Sequence, residues 1–433
     1  MPRRLRFAAI ADDYTGGSDL TSMLAAEGVR AIQFFGLPRP DALAAAGGEY
    51  DAAVVCLKSR SIEPEEACRL SVEALERVAQ LDPLQWQFKY CSTFDSTDRG
   101  NIGPVASKLM ERLGVPFTTA IPALPVNGRT QYGGYLFVNG ALLSESPMRD
   151  HPLNPMREPS LVRHLQRQTS RRVGLIGWEA VRRGPEAIRR AMKEEAAAGV
   201  EIALVDALTE DDLDRIAEAV CEERLLTGGS GITAGLARFW RRIGLEPFGD
   251  QPRLGRTEPG VLVIAGSCSA ATLRQLEAFA GAGVPVSRLD VAALMRDPEA
   301  EIARLEAEVR ERRVAAAASS MGPAERRRLL EELEGRGHPA EEVRMTIEAA
   351  LAELARRIVS SHGIARVVVA GGETAGAVIE ALGAQAVEAL DTLDPGVPAL
   401  MTVGEPRLAL VLKSGNFGRD GFFPNAVRYL EGL

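Results

Sequence analysis

Residues Leu5–Leu20 read LRFAAIADDYTGGSDL, and the fold follows from how this stretch divides. LRFAAI is an apolar run of strand length, and ADDYTGG is a turn dense in carboxylate, hydroxyl and glycine. A helix follows, opened by Thr15, Gly16 and Gly17 and periodic from Asp19. The same grammar recurs in STFDSTDRGNIGP from Ser92, GGSGITAG from Gly228, AGSCSAAT from Ala265, AGGETAGA from Ala370 and LKSGNFG from Leu412, each straight after an apolar run. In open α/β sheets ligands sit beyond the carboxyl ends of strands, where glycines admit a charged group and the next helix N-terminus favours an anion. The repetition predicts an α/β enzyme that handles phosphate.

Outward from that stretch, AAVVCL precedes a helix from Pro64 to Gln80, and QWQFKYC precedes one from Gly103 to Leu113. RTQYGGYLFVNGALLSESPMRDHPLNP breaks the alternation and reads as a hairpin with a long functional loop. RVGLIG, EIALVDA and RLLTGGSG resume it, with helices Pro185 to Ala198 and Asp211 to Cys221. The Gly- and Pro-dense stretch before Val261 lacks periodicity, so the expected organisation is an N-terminal domain 1–245, a linker 246–260 and a C-terminal domain 261–433. The latter carries VLVIAG, VPVSRL, VAAAAS, RVVVAGG, VEAL and LALVLKSG. Each domain is predicted to be a mostly parallel sheet flanked by helices. The region Asp297 to Arg357 reads as helical and heavily charged, and its ERR and RRR runs read as a solvated face.

Composition narrows the class. With 433 residues, 46% hydrophobic and 25% charged, the chain is that of a globular protein with more than one core. A net charge of −8 disfavours nucleic acid or an anionic membrane as partner, leaving room for a local basic pocket. The five cysteines show no CxxC pairing and read as reduced thiols, which with the lack of a signal-peptide core or membrane-length run predicts a cytoplasmic protein.

Asp12 and Asp13 are the candidate catalytic pair. One carboxylate could orient or deprotonate a substrate hydroxyl, while simple N-capping is the plainer alternative. FKYCSTFDSTDRGN brings Lys89, Ser92, Thr93, Asp95, Ser96, Thr97, Arg99 and Asn101 into one turn, a mixture suited to a small polyhydroxylated acid, and KSRS adds Lys58 and Arg60. GGSGITAG is a weak dinucleotide signal, for which tight packing is as good an account. In the C-terminal domain, Ser267 and Ser269, the Gly371–Thr374 turn, and Lys413 to Gly415 form three anion-competent turns; none is a Walker A loop. The four histidines lack metal-ligand spacing, and His151, in RDHPLNPM, is left as a substrate or interdomain contact.

Taken together, IADDYTG, KYCSTFDST with GNIGP, GYLFVNG with SESPMRDHPLNPM, AGSCS, AGGETAGAV and LKSGNFG resemble, in order, the four-carbon acid sugar kinases, and among these the 3-oxo-tetronate branch. The resemblance covers nearly the whole chain. It implies ATP-dependent phosphorylation, with Mg2+, of the C4 hydroxyl of a 3-oxo-tetronate, in a cleft between an acid-sugar domain and a nucleotide domain. Carried over motif by motif, Thr15, Gly16, Arg60, Asp95, Ser96 and Thr97 join Asp12 and Asp13 as acid-sugar residues. Ser267, Gly371, Gly372, Glu373, Thr374 and Gly415 are the nucleotide residues so implied, and the metal ligands are unassigned. Erythronate or threonate is the alternative substrate; an NAD(P)-dependent dehydrogenase and a non-catalytic sugar-acid sensor are the rivals from other classes. The oligomeric state is left open, a homodimer being one arrangement the sequence allows.

Overall fold

The computed structural model describes residues 4–46, 50–150, 154–244, 260–394 and 396–432. His151 and residues 246–259 of the expected linker lie outside them. The chain divides into two compact units, Met1–Gly249 and Asp250–Leu433.

The first unit contains β1 (Phe7–Ala11), β2 (Ala31–Phe35), β3 (Ala52–Cys56), β4 (Gln85–Lys89), β5 (Thr118–Ile121), β6 (Arg129–Tyr132), β7 (Tyr135–Val138), β8 (Ala141–Leu142), β9 (Val173–Ile176), β10 (Ile202–Val205) and β11 (Leu225–Gly228). A wholly parallel sheet runs in the order β2-β3-β1-β4-β11-β5-β10-β9. The strands β6, β7 and β8 form a small antiparallel sheet, the expected hairpin. Every residue of β1, β3 and β4 is buried, as helices on both faces of a parallel sheet require. Gln87 in β4 is satisfied internally: it donates to the Gly229 carbonyl at 2.8 Å and accepts from Thr233 at 2.5 Å.

Register decides where the site lies. Ala11 pairs with both Cys56 and Lys89, and Lys89 with Gly228, so β3, β1, β4 and β11 end level with one another. The chain adds β2 and β3 on one side of β1 and β4 on the other, which makes the end of β1 a topological switch point. The helix after it spans Tyr14–Ala26, starting earlier than the periodicity from Asp19 suggests, because Asp13 caps it by accepting from the Gly16 amide at 3.0 Å.

The second unit repeats the scheme with β12 (Val261–Ala265), β13 (Val286–Arg288), β14 (Val314–Ala318), β15 (Arg366–Ala370), β16 (Ala386–Asp394), β17 (Val397–Thr402) and β18 (Ala409–Lys413). The order is β13-β14-β12-β15-β18-β17-β16, parallel as far as β18 and antiparallel on either side of β17. Ala265, Ala370 and Lys413 end their strands level, and β12 is the second switch point. No helix among the described residues is long and apolar enough to cross a membrane.

Candidate active site

In the first unit Asp12 leaves β1 buried, and Arg60 clasps it with both arms: Nε to Oδ2 and Nη2 to Oδ1, each at 2.9 Å. The same Nη2 lies 2.7 Å from Asp13 Oδ1, and Nη1 lies 3.5 Å from Asp95 Oδ2. One guanidinium thus gathers carboxylates from the turns after β1 and β4. Burial pushes the Asp12 carboxyl above its ordinary range, and Arg60 pulls it back. Asp13 differs. Its Oδ1 serves both the Gly16 amide and Arg60, while among the described residues nothing donates to Oδ2.

Lys89 ends β4 as a buried ammonium whose Nζ donates to the Tyr90 carbonyl at 3.0 Å. A Cβ at Gly16 would stand 2.8 Å from that Nζ and 2.3 Å from Asp13 Oδ1, so only glycine leaves both groups accessible from this turn. Behind them Asp19 accepts from the Ser230 hydroxyl; burial pushes its carboxyl up, against the pull of Lys89 and Ser230. Asp95 accepts from Asn154 Nδ2 at 2.9 Å, which brings the RDHPLNP loop to the site through its asparagine. Asn101 donates to the carbonyls of Ser59 at 2.6 Å and Ile62 at 2.9 Å, fixing the loop that carries Arg60.

Asp12, Asp13, Gly16, Arg60 and Asp95 therefore come together, and Thr15 sits beside them in the first helical turn. Ser96 and Thr97 are occupied in shaping the turn: Gln168 donates to Ser96 Oγ at 2.9 Å and to the Thr97 carbonyl at 2.6 Å. Phe94 holds a left-handed φ of 56°, pinned by a buried ring that meets Tyr90 at 5.3 Å and His164 at 5.7 Å between centroids. GGSGITAG is a packing turn, its Gly231 and Gly235 facing the carbonyls of Ala123 and Leu213. His338 and His362 are surface partners of Glu342 and Glu306, each at 3.2 Å. Asp19, Asn154 and the supporting role of Asn101 carry no local signal, since each acts on a residue distant in sequence.

In the second unit Ser267, Gly371, Gly372, Glu373, Thr374 and Gly415 all line one cavity of about 430 Å³. Gly371 caps the helix Gly372–Ala381 with φ 131° and no side chain to occupy the leading amides, which leaves an unblocked, anion-competent N-terminus. The third turn is clamped through one carbonyl: Gly415 O accepts from Ser269 Oγ at 2.5 Å, Thr272 Oγ1 at 2.9 Å and Lys413 Nζ at 3.0 Å. Lys413 is buried, and burial lowers its pKa to about 8. The opposite wall comes from the charged helical region, with Arg326 of the RRR run, Leu329, Leu330, Val343, Arg344 and Ile347 facing the cavity. Glu325 to Arg328 are exposed, as a solvated face requires, while Leu329, Leu330, Val343 and Ile347 turn an apolar strip to the cavity. Among the described residues no group of three or more His, Cys, Asp or Glu could hold a metal ion, and all five cysteines are free.

Residues 7–236 match a family model described as a sugar-binding N-terminal domain, and residues 262–423 one described as a nucleotide-binding C-terminal domain. A Cupriavidus necator protein named 3-oxo-tetronate kinase is 43% identical over 435 residues, spanning 100% of this chain and 99% of its own. A Salmonella typhimurium protein of the same name is 38% identical, over 99% of this chain and 100% of its own. Among solved structures, a Salmonella typhimurium protein described as a tRNA synthase superposes with a TM-score of 0.87 at 36% identity, covering 98% of this chain and 99% of its own. A Haemophilus influenzae protein gives 0.80 at 35% identity, covering 97% and 98%. With both domain models matched in order and relatives aligned end to end, this chain belongs to the four-carbon acid sugar kinase family.

Proposed function

We propose that this kinase transfers the γ-phosphoryl group of ATP to the C4 hydroxyl of a 3-oxo-tetronate, giving the 4-phosphate. The observation that carries the reading is the gathering of Asp12, Asp13 and Asp95 around Arg60 beside the buried Lys89, at level strand ends. Such a set offers hydroxyl acceptors and carboxylate-binding cations within one turn cluster, which is what a four-carbon keto acid requires.

The two aspartates take different roles. Asp12, with both oxygens on Arg60, is a positioning residue that fixes the guanidinium. Asp13, with Oδ2 open, orients the C4 hydroxyl and accepts its proton as the O–P bond forms. Lys89 and Arg60 receive the substrate carboxylate. On the nucleotide side, the amides at the start of Gly372–Ala381 and the Ser267 and Gly415 turns hold the phosphates, and ADP is the leaving group. Magnesium brought with the nucleotide would supply charge neutralisation at the phosphates; the protein supplies alignment. The free thiols support a cytoplasmic setting.

The test is a coupled ADP-release screen with purified protein across 3-oxo-tetronates, erythronates and threonates. A 3-oxo-tetronate is expected to show the highest kcat/KM. Turnover confined to erythronate or threonate would move the substrate within the family, and NAD(P) reduction without ADP release would remove the kinase reading.

A further inference from the structure

The cavity of the second unit has two chemically different ends. One is the glycine and hydroxyl turn set, rich in backbone donors. The other carries the apolar side chains Met321, Leu329, Leu330, Val343 and Ile347, with Arg326, Glu341, Arg344 and Glu348 of the same helical region also on the lining. Once the phosphates occupy the first end, what remains of a nucleotide is a ribose and a flat heteroaromatic base, and only the base gains from an apolar slot.

The helix on one side of that slot, Pro323–Gly335, is weakly anchored. Leu333 is its one buried residue, while Leu329 and Leu330 stay half-buried and face the cavity. Gly322 and Gly335 bound it, and a side chain at either would meet open space, so neither junction is braced by packing. Gly337, just beyond, has φ 92°. Across the slot, Val343 and Ile347 belong to the long helix Ala340–His362, whose Val343, Leu351, Leu354 and Ile358 are buried. One wall is therefore fixed and the other loosely held, with apolar side chains on both left partly uncovered.

We propose that the nucleotide base is gripped between these two helices, and that Pro323–Gly335 is a recognition arm whose ordering depends on the base rather than on the phosphates. This rests on the reading of the cavity as the nucleotide site. Leu330 and Ile347 are its principal contacts, and a base placed between them adds the apolar contacts that the arm lacks in the free protein.

Calorimetric titration of the full-length protein with ATP and with inorganic tripolyphosphate separates the two ends. Leu330→Ser and Ile347→Ser should each weaken ATP on the order of tenfold and leave tripolyphosphate unchanged. Gly371→Val should weaken both ligands. Hydrogen exchange on the unmodified protein gives a readout that needs no variant: ATP should protect amides 323–335, and tripolyphosphate should not. Equal losses for the two ligands in the serine variants, or equal protection of the arm by both, overturns the proposal. Wild-type protein that binds neither ligand overturns instead the assignment of this cavity to a nucleotide.

Discussion

At Arg60 one Nη2 atom is shared by two carboxylates, and that sharing gives the sharpest experiment at the residue scale. Asn caps a helix as well as Asp does, so Asp13→Asn keeps the Tyr14–Ala26 cap while removing the base. Turnover should fall ~10²- to 10⁴-fold with the melting temperature and the KM for ATP nearly unchanged. Asp12→Asn should lower turnover too, but with a loss of stability of roughly 1.5–3 kcal/mol, because it takes the charge from the main partner of a half-buried guanidinium. Steady-state kinetics paired with thermal denaturation reads both; equal behaviour of the two variants would erase the division of roles. For Lys89→Met the KM for the acid sugar should rise at least about tenfold while that for ATP holds, as expected from deleting a charge-assisted bond of ~1.5–3 kcal/mol. A rise in the ATP KM alone would take Lys89 out of the acceptor site.

Among the elements, the turn after β18 carries a pH signature. Lys413 should lose its proton as pH rises through about 8, and the ammonium is what donates to Thr272 Oγ1, Ser414 O and Gly415 O together. A neutral amine has one N–H fewer, so the KM for ATP should climb above that pH, and Lys413→Met should be uniformly weak and flat across it. Because the folded pKa lies below the unfolded value, the unfolded chain binds more protons from about pH 8 to 10.5, and the contribution of this group to stability rises with pH over that window. Denaturant titrations on wild type and Lys413→Met check the sign. Gly371→Val, forced into φ 131° with Ser267 N only 3.2 Å from the new Cβ, should weaken ATP and spare acid-sugar binding. Calorimetry showing the reverse order would place the phosphates elsewhere.

Such turns were legible because their chemistry is local: glycine, hydroxyl and carboxylate follow a strand within a few residues. Strands buried on both faces were legible for the same reason, as runs like AAVVC. The strands β2, β5 and β17 were not. Gln33 in β2 reaches Ser18, Thr118 in β5 donates to the Leu225 carbonyl, and Pro398 in β17 pairs Thr392 beside a register shift, so polar or breaking residues blur the apolar pattern for reasons visible only in three dimensions. The partner of Asn154 and the apolar wall at Leu330 and Ile347 escaped for a kindred reason, since the groups they meet are far along the chain.

For the whole molecule, Phe7, Val54, Leu226, Leu236 and Trp240 share one core within the first unit. An excised fragment 1–245 should therefore fold, bind a 3-oxo-tetronate or tetronate analogue and release no ADP from ATP. A fragment folded by circular dichroism that binds ATP and ignores every tetronate would reverse the assignment of ligands to units.

The position of β11 between β4 and β5 has a consequence for biosynthesis. Tyr90 and Thr227, hydrogen-bonded in the finished sheet, are 137 residues apart. At ~5–20 residues per second the ribosome needs roughly seven to twenty-seven seconds to span that gap. Throughout it the nascent chain holds QWQFK with one edge unpaired, a template for pairing with other chains. Fragments ending before Leu225 are expected to sediment from a lysate and to recruit holdase chaperones, where 1–245 remains in the supernatant. The last short strand of the unit is thus what closes the edges that β4 and β5 leave open in the growing polypeptide.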